Sequence, residues 1–220
     1  MKKISIVGGA LALFLSFGPA VALASEGAAG NPDESLAKLM EGNARYVKGA
    51  MTHPDANDAR REEVAKGQHP FAIILGCSDS RVPPEVIFDQ GLGDLFIIRT
   101  AGHVVDDVAI GSIEYAAEHL GSPLLVVLGH ERCGAVKATV DGGEAPGHIE
   151  SIVKAIKPAV EKAKGEEGDL VDNSVKENVE LVREKLLESK PILAELVEKG
   201  KLKIVGARYD LDDGKVEILK

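Results

Sequence analysis

Two short segments of the sequence contain residues that can bind a metal ion or move a proton. Residues 77–81 read Cys-Ser-Asp-Ser-Arg, and residues 130–134 read His-Glu-Arg-Cys-Gly. Zn²⁺ favours thiolate and imidazole ligands, and two cysteines with one histidine leave its fourth position open, as in catalytic sites. Cys77, His130 and Cys133 are therefore candidate zinc ligands. The two-residue gap between His130 and Cys133 allows both side chains to reach one metal where a strand turns into a helix.

An aspartate and an arginine follow Cys77 closely. Asp79 is either a fourth metal ligand or a group beside the metal, and Arg81 can hold its carboxylate in a bidentate ion pair. Purely structural roles are also possible for the candidate ligands. His130 could be a buried structural histidine, Cys77 an inert core residue, and Cys77 with Cys133 a disulfide of an exported protein.

The elements that must position these segments can be predicted from the apolar pattern. Continuous apolar runs of strand length are typical of strands buried on both faces of a sheet; they occupy residues 71–75, 95–98, 124–128 and 203–207. Helical patterns alternate with them at residues 31–49, 58–66, 109–120, 135–140, 149–164 and 174–188, with an acidic loop at 165–173. The order predicts an α/β fold with a mostly parallel central sheet flanked by helices. Residues 209–219 predict a C-terminal hairpin that turns at Asp213-Gly214.

Ligand sites in open parallel sheets lie at the carboxyl ends of the strands. Both candidate segments directly follow predicted strands, so we expect them to meet at one edge of the sheet.

Three segments are predicted along the chain. Residues 1–24 have Lys2 and Lys3, an apolar stretch and Ala22-Leu23-Ala24, which is the layout of a secretory signal peptide. Residues 25–66 are then a linker and an N-terminal helical arm, and residues 67–220 the catalytic domain. We expect an exported protein, periplasmic or secreted, with no stable membrane anchor after cleavage.

The composition limits the partners. The formal net charge is −9 and there is no tryptophan. Without a basic run, nucleic acid and anionic membrane surfaces are not expected partners.

The two segments together resemble the signature motifs of the β-class carbonic anhydrases. Residues 41–46, 99–102 and 204–210 are similar to that family as well. The resemblance implies a zinc enzyme that hydrates CO2 reversibly to bicarbonate and a proton, by means of zinc-bound hydroxide. It also implies that Cys77, His130 and Cys133 bind Zn²⁺ and that Asp79 and Arg81 are a catalytic dyad, with Asp79 a ligand only in a closed form of the site.

The same resemblance implies the residues of the substrate pocket. Gln68, Phe96 and Tyr115 match pocket positions, which in the family come partly from a neighbouring subunit. The backbone N–H of Gly134, at a helix start, is a candidate donor to a substrate oxygen. We therefore expect a homodimer or tetramer, with the apolar face of the arm packed on the neighbouring chain.

One position departs from part of the family. Some members have a tryptophan three residues before the first cysteine, where it lines an inhibitory bicarbonate pocket; this chain has Ile74 there, although Arg99 matches the arginine of that pocket. We therefore expect the open form of the site to dominate.

Two other functions remain open from the sequence. One is a hydrolase of the same fold that acts on carbon disulfide or carbonyl sulfide, and the other is a non-enzymatic protein with a structural zinc or a disulfide. Five histidines are candidates for a proton shuttle, and their spacing in the sequence favours none of them over the others: His53, His69, His103, His119 and His148.

Overall fold

The computed structural model describes residues 30–219, so the predicted signal segment at 1–24 and most of the linker lie outside the described residues. The strands are β1 (Ala72–Cys77), β2 (Leu95–Thr100), β3 (Leu124–His130), β4 (Lys203–Tyr209) and β5 (Val216–Ile218). The helices are α1 (Pro32–Val47), α2 (Asp58–Val64), α3 (Pro84–Ile87), α4 (Asp107–Glu114), α5 (Gly134–Asp141), α6 (Ile149–Ala163), α7 (Leu170–Leu187) and α8 (Ile192–Glu198).

The strands form one five-stranded sheet in the order β2-β1-β3-β4-β5. The first four are parallel to their neighbours, and β5 pairs antiparallel with the end of β4, as the predicted hairpin requires. Every residue of β1 and β3 is buried, because their apolar runs lie in the middle of the sheet. The predicted α/β class and mostly parallel sheet are therefore confirmed.

Alternating residues of the strands pack against different helices. Ala72 and Ile74 belong to a core with Leu39 of α1 and Ile87 of α3. Their strand neighbours Ile73 and Leu75 belong to a second core. The helix residues of that core include Ile113 of α4, Val179 and Val182 of α7, and Leu193 of α8. Both faces of the sheet are thus covered.

The helical arm is fastened to the rest of its own chain. Leu39 of α1 is fully buried within its own chain. Asn43, also buried, donates to the carbonyls of Ile87 and Gly214 and accepts from the N–H of Val216, so it fastens the arm to the C-terminal hairpin. Part of the arm's apolar face is thus used by the chain's own core, and its packing on a neighbouring chain stays a prediction.

Several element boundaries differ from their predictions. The predicted acidic loop at 165–173 is shorter, since Asp169 caps the N–H of Asp172 and α7 begins at Leu170. The helix predicted at 109–120 is α4 followed by a π-helical turn, Tyr115–His119. The apolar pattern of the sequence did not predict α3 or α8. Across residues 30–219, the structure has no helix with both the length and the apolar character needed to cross a bilayer.

Candidate metal centre and active site

The candidate ligands lie at the carboxyl ends of two neighbouring strands. Cys77 is the last residue of β1 and His130 the last residue of β3. These strands are parallel and adjacent, so their ends lie at the same edge of the sheet. Cys133 precedes the first residue of α5 as its N-cap. The turn from β3 into α5 thereby brings Cys133 back towards His130, as the two-residue spacing predicted.

The three side chains form one compact, buried cluster. The ligand atoms of Cys77, His130 and Cys133 lie within 4.8 Å of one another, and all three residues are buried. The two sulfur atoms are 4.0 Å apart. Two sulfurs bound to one tetrahedral zinc at about 2.3 Å each are about 3.8 Å apart, whereas a disulfide requires about 2.05 Å. The observed separation fits shared metal ligands, and both cysteines are free.

The histidine presents an unpaired nitrogen to this cluster. His130 is completely buried, and its Nε2 forms no hydrogen bond with any described residue. Its Nδ1 lies 2.9 Å from the carbonyl oxygen of Glu131. Because a carbonyl can only accept, Nδ1 carries the proton and Nε2 keeps its lone pair, which is the tautomer that a metal-bound histidine needs. A buried nitrogen with a free lone pair next to two thiols fits Zn²⁺.

The two thiols do not ionise alike. The hydrogen bond from the Cys133 thiol lowers the pKa of Cys77 far below its ordinary value, against the effect of burial, and the N–H of Gly102 lowers it further. The same hydrogen bond, together with burial, raises the pKa of Cys133. Two thiols this close therefore share one proton, and binding a cation is what allows both to become thiolates.

An ion pair stands beside the cluster. Arg81 donates from Nε to Oδ1 of Asp79 at 2.9 Å and from Nη2 to Oδ2 at 2.7 Å, which is the predicted bidentate pair. These bonds hold the pKa of Asp79 well below its usual range. The Oδ2 atom lies 3.7 Å from Nε2 of His130. Asp79 is thus a fixed carboxylate next to the metal ligands, and its role as a ligand in a closed form stays a prediction.

A second arginine holds the backbone that carries this pair. Arg99, in β2, donates from Nε to the carbonyl of Cys77 at 2.7 Å and from Nη2 to the carbonyl of Asp79. The guanidinium therefore fixes the chain on both sides of Ser78. The sequence matched Arg99 to an anion pocket, but nothing in its spacing signalled this contact with the metal-binding segment.

The predicted pocket residues are spread over the chain. Gly134 is the first residue of α5, directly beside Cys133. Gln68 is exposed in the segment before β1, where it borders a shallow depression with Leu92 and Gly93. Phe96 and Tyr115 have ring centroids 6.3 Å apart, and Tyr115 is 48% exposed. Phe96 packs with the core on α4 and α7, whereas Cys77 belongs to the other core.

One of the five candidate shuttles is excluded by burial. His103 is completely buried, and a proton shuttle must reach solvent. Burial lowers the pKa of His103 to about 4, so this ring is neutral near neutral pH.

A second group of ligand-type side chains lies next to the first. Oxygens of Glu131, Asp210 and Asp212 lie within 4.8 Å of one another. Here the charges are already compensated, because Arg132 makes two hydrogen bonds to Asp212 and Arg208 lies 3.8 Å from Glu131 and 3.4 Å from Asp210. This group is an ion-pair network.

Sequence comparison identifies relatives along most of the chain. The family model described as carbonic anhydrase matches residues 72–216. Carbonic anhydrase 2 of Mycobacterium tuberculosis is 43% identical over 189 residues, which cover 84% of this chain and 91% of that protein. The carbonic anhydrase of Mycolicibacterium smegmatis is 43% identical over 192 residues, covering 86% of this chain and 93% of the relative.

Solved structures agree with the sequence relatives. A tetrameric β-carbonic anhydrase of Sordaria macrospora superimposes with a TM-score of 0.67 at 26% identity, over 85% of this chain and 97% of the other. The Coccomyxa β-carbonic anhydrase in complex with acetazolamide has a TM-score of 0.67 at 27% identity, over 84% and 86% of the two chains. With the strand-end cluster and its neighbouring ion pair, these matches show that the chain belongs to the β-class carbonic anhydrase family.

Proposed function

We propose that this protein is a zinc-dependent carbonic anhydrase, which interconverts CO2 and bicarbonate. The observation that carries the proposal is the buried cluster of Cys77, His130 and Cys133, in which the His130 Nε2 lone pair has no partner among the described residues. Zinc held by three protein ligands keeps a fourth position open and lowers the pKa of a bound water to about 7, which supplies a nucleophile at neutral pH.

The chain's own residues orient and assist this chemistry. Asp79 remains ionised because Arg81 holds its carboxylate. Each carboxylate oxygen has two lone pairs, so Oδ2, 3.7 Å from the His130 ligand atom, can accept a hydrogen bond from the nucleophile and aim it at CO2. The N–H of Gly134 begins α5 next to Cys133, where the positive end of the helix favours developing negative charge on a substrate oxygen.

The remaining pocket residues support a proposed dimer. Phe96 and Ile98 are only partly buried in β2, and the outer edge of β2 pairs with no described strand. An apolar edge strand favours pairing with a second chain, and the similar protein of Sordaria macrospora is tetrameric. We infer that chains associate along β2, so that Gln68, Phe96 and Tyr115 complete the pocket of a neighbouring subunit.

Light scattering tests the assembly. The purified protein at micromolar concentration is expected to have at least twice the mass of one chain. An active monomer under those conditions would contradict the inferred sharing of the pocket.

Export remains a further proposal. The charged, apolar and small-residue order of residues 1–24 supports cleavage after Ala24. Amino-terminal sequencing of the protein recovered from expressing cells should begin at Ser25, whereas a protein that retains Lys2 and Lys3 would contradict cleavage.

Parallel assays with three substrates test the proposed activity. Protein that starts at Ser25 is assayed for CO2 hydration and, separately, for hydrolysis of carbon disulfide and carbonyl sulfide. We expect rapid CO2 hydration and little hydrolysis of the sulfur compounds. Turnover of the sulfur compounds alone would instead identify the same-fold hydrolase. A protein that turns over none of the three substrates would have a site with only a structural role.

A further inference from the structure

The segment that joins β2 to α4 makes a direct hydrogen bond to one candidate ligand. Thr100, the last residue of β2, lies opposite Cys77 in the sheet. Two residues later, the backbone N–H of Gly102 points at the Sγ of Cys77, at a distance of 3.3 Å. An N–H group that donates to a thiolate withdraws charge from the sulfur, so this segment acts on the electronic character of the ligand as well as on its position.

The backbone at this point is held in an uncommon conformation. Gly102 has φ 67° and His103 has φ 46°, so two consecutive residues lie in the left-handed region. That region is disfavoured for a residue with a Cβ such as His103. A Cβ on Gly102 would also come within 2.7 Å of Cδ1 of Ile156. Such a conformation persists only when surrounding groups hold it in place.

The group that holds it is an asparagine on another element. Asn178 is fully buried in α7. Its Nδ2 lies 2.9 Å from the carbonyl oxygen of Gly102 and 2.9 Å from Nε2 of His103. An amide nitrogen carries two hydrogens, one for each of these acceptors. The burial that keeps His103 neutral is consistent with this assignment, because a neutral ring can accept at Nε2.

We propose that Asn178 is a positioning residue of the metal site: it locks the turn at Gly102 and His103, so that the Gly102 N–H donates to the Cys77 sulfur. The proposal rests on the zinc function proposed above. While Asn178 holds the turn, the Gly102 N–H draws part of the negative charge of the Cys77 thiolate away from the metal position. A metal ion bound there would then be a stronger Lewis acid. Hydrogen bonds to metal ligands typically change activity by about 10- to 100-fold when their partners are removed.

The test uses Co²⁺ in place of Zn²⁺, because thiolate-to-cobalt charge transfer reports on the sulfur directly. Asn178→Leu removes both hydrogen bonds at similar side-chain volume. Its matched control is Asn173→Leu on the same helix, where Nδ2 of Asn173 donates to the carbonyl of Glu167 at 3.0 Å, in the loop before α7. Should Asn178→Leu fail to fold, Asn178→Ser and Asn173→Ser form the second pair, since serine removes the amide without adding volume.

We expect the charge-transfer band of the Asn178 variant to move to longer wavelength, because a sulfur without its N–H donor gives up charge more readily. Its CO2 hydration rate with Zn²⁺ should fall by about 10-fold or more. The Asn173 variant should keep the wild-type band and rate. An Asn178 variant that binds Co²⁺ with the same band as its Asn173 control overturns the proposal. A wild-type protein that shows no thiolate-to-cobalt band would instead contradict the metal site itself, so the two failures are distinguishable.

Discussion

Two groups of ligand-type side chains lie side by side at one edge of the sheet, and they differ in what their donor atoms do. The side chains of Cys77, His130 and Cys133 are buried and form no hydrogen bond with a lysine or arginine among the described residues, and His130 Nε2 has no hydrogen-bond partner there. In the neighbouring group, Asp212 is bound by both Nη atoms of Arg132.

Proximity alone therefore does not identify a metal site. Both groups satisfy the same limit of 4.8 Å between ligand atoms. In the acidic group the arginines already supply the positive charge, whereas the buried cluster leaves a lone pair and two coupled thiols to be satisfied by something else. Buried polar atoms without partners are costly, so the cysteine–histidine cluster needs a cation and the acidic group does not.

The largest expected effect comes from removing a ligand of the buried cluster. Cys133→Ser should lose bound zinc and CO2 hydration together, because a serine hydroxyl is a poor replacement for a thiolate on zinc. Metal analysis and the hydration assay measure both. Full zinc occupancy in this variant would contradict the ligand assignment.

The second effect separates binding from catalysis within the same region. Asp79→Asn should keep its zinc, since Asp79 pairs with Arg81 and the three ligands remain, yet lose about 10²- to 10⁴-fold in hydration rate, the usual contribution of proton-transfer groups. Zinc content and rate are measured from mildly acidic to mildly basic pH. Lost zinc with retained activity would make Asp79 a fourth ligand, and an undiminished rate would exclude the orienting role.

The third effect concerns the pH range in which Asp79 works. Arg81 keeps the pKa of Asp79 well below its usual range, so in Arg81→Met that pKa should rise towards the ordinary value of about 3.9. Because the depressed pKa keeps the carboxylate ionised in acid, its loss should lower the hydration rate relative to the control only as the pH falls below about 5, towards the restored pKa. Arg61→Met is the matched control, since Arg61 pairs with Asp58 in an exposed contact on α2. Parallel pH profiles of the two variants would contradict the role of Arg81.

The smallest effect is expected in the acidic group. Asp212→Asn removes an exposed partner of Arg132, and exposed ion pairs contribute little to stability. Zinc content, hydration rate and the midpoint of thermal unfolding should all stay close to those of the unchanged protein. Loss of metal in this variant would show that the acidic group binds the cation after all.

The sequence predicted the sheet and the meeting of the two motifs because apolar runs on central strands give a strong signal. It placed the strand ends too early, since Gly76 and Gly129 interrupt the apolar runs while β1 and β3 continue to Cys77 and His130. Gly129 is required by packing: a Cβ there would lie 2.6 Å from Cγ2 of Val179 on α7. Such a contact between distant segments leaves no local pattern.

The surroundings of the site were harder to predict for the same reason. Asn178 is one polar residue in a helix, and its contacts with Gly102 and His103 join positions 76 and 75 residues away. The arm had a clear helical pattern, but the pattern does not say which surface its apolar face covers. Only the fold shows that Leu39 and Asn43 are used within the chain.

The central claim is that the buried cluster binds one zinc ion per chain through two thiolates. Mass spectrometry of the purified protein under native conditions, followed by denaturation and thiol counting, measures this directly. We predict one zinc per chain in the native spectrum and two free thiols after denaturation. A metal-free mass lower by two hydrogens, with no free thiol, would show a Cys77–Cys133 disulfide and contradict the account.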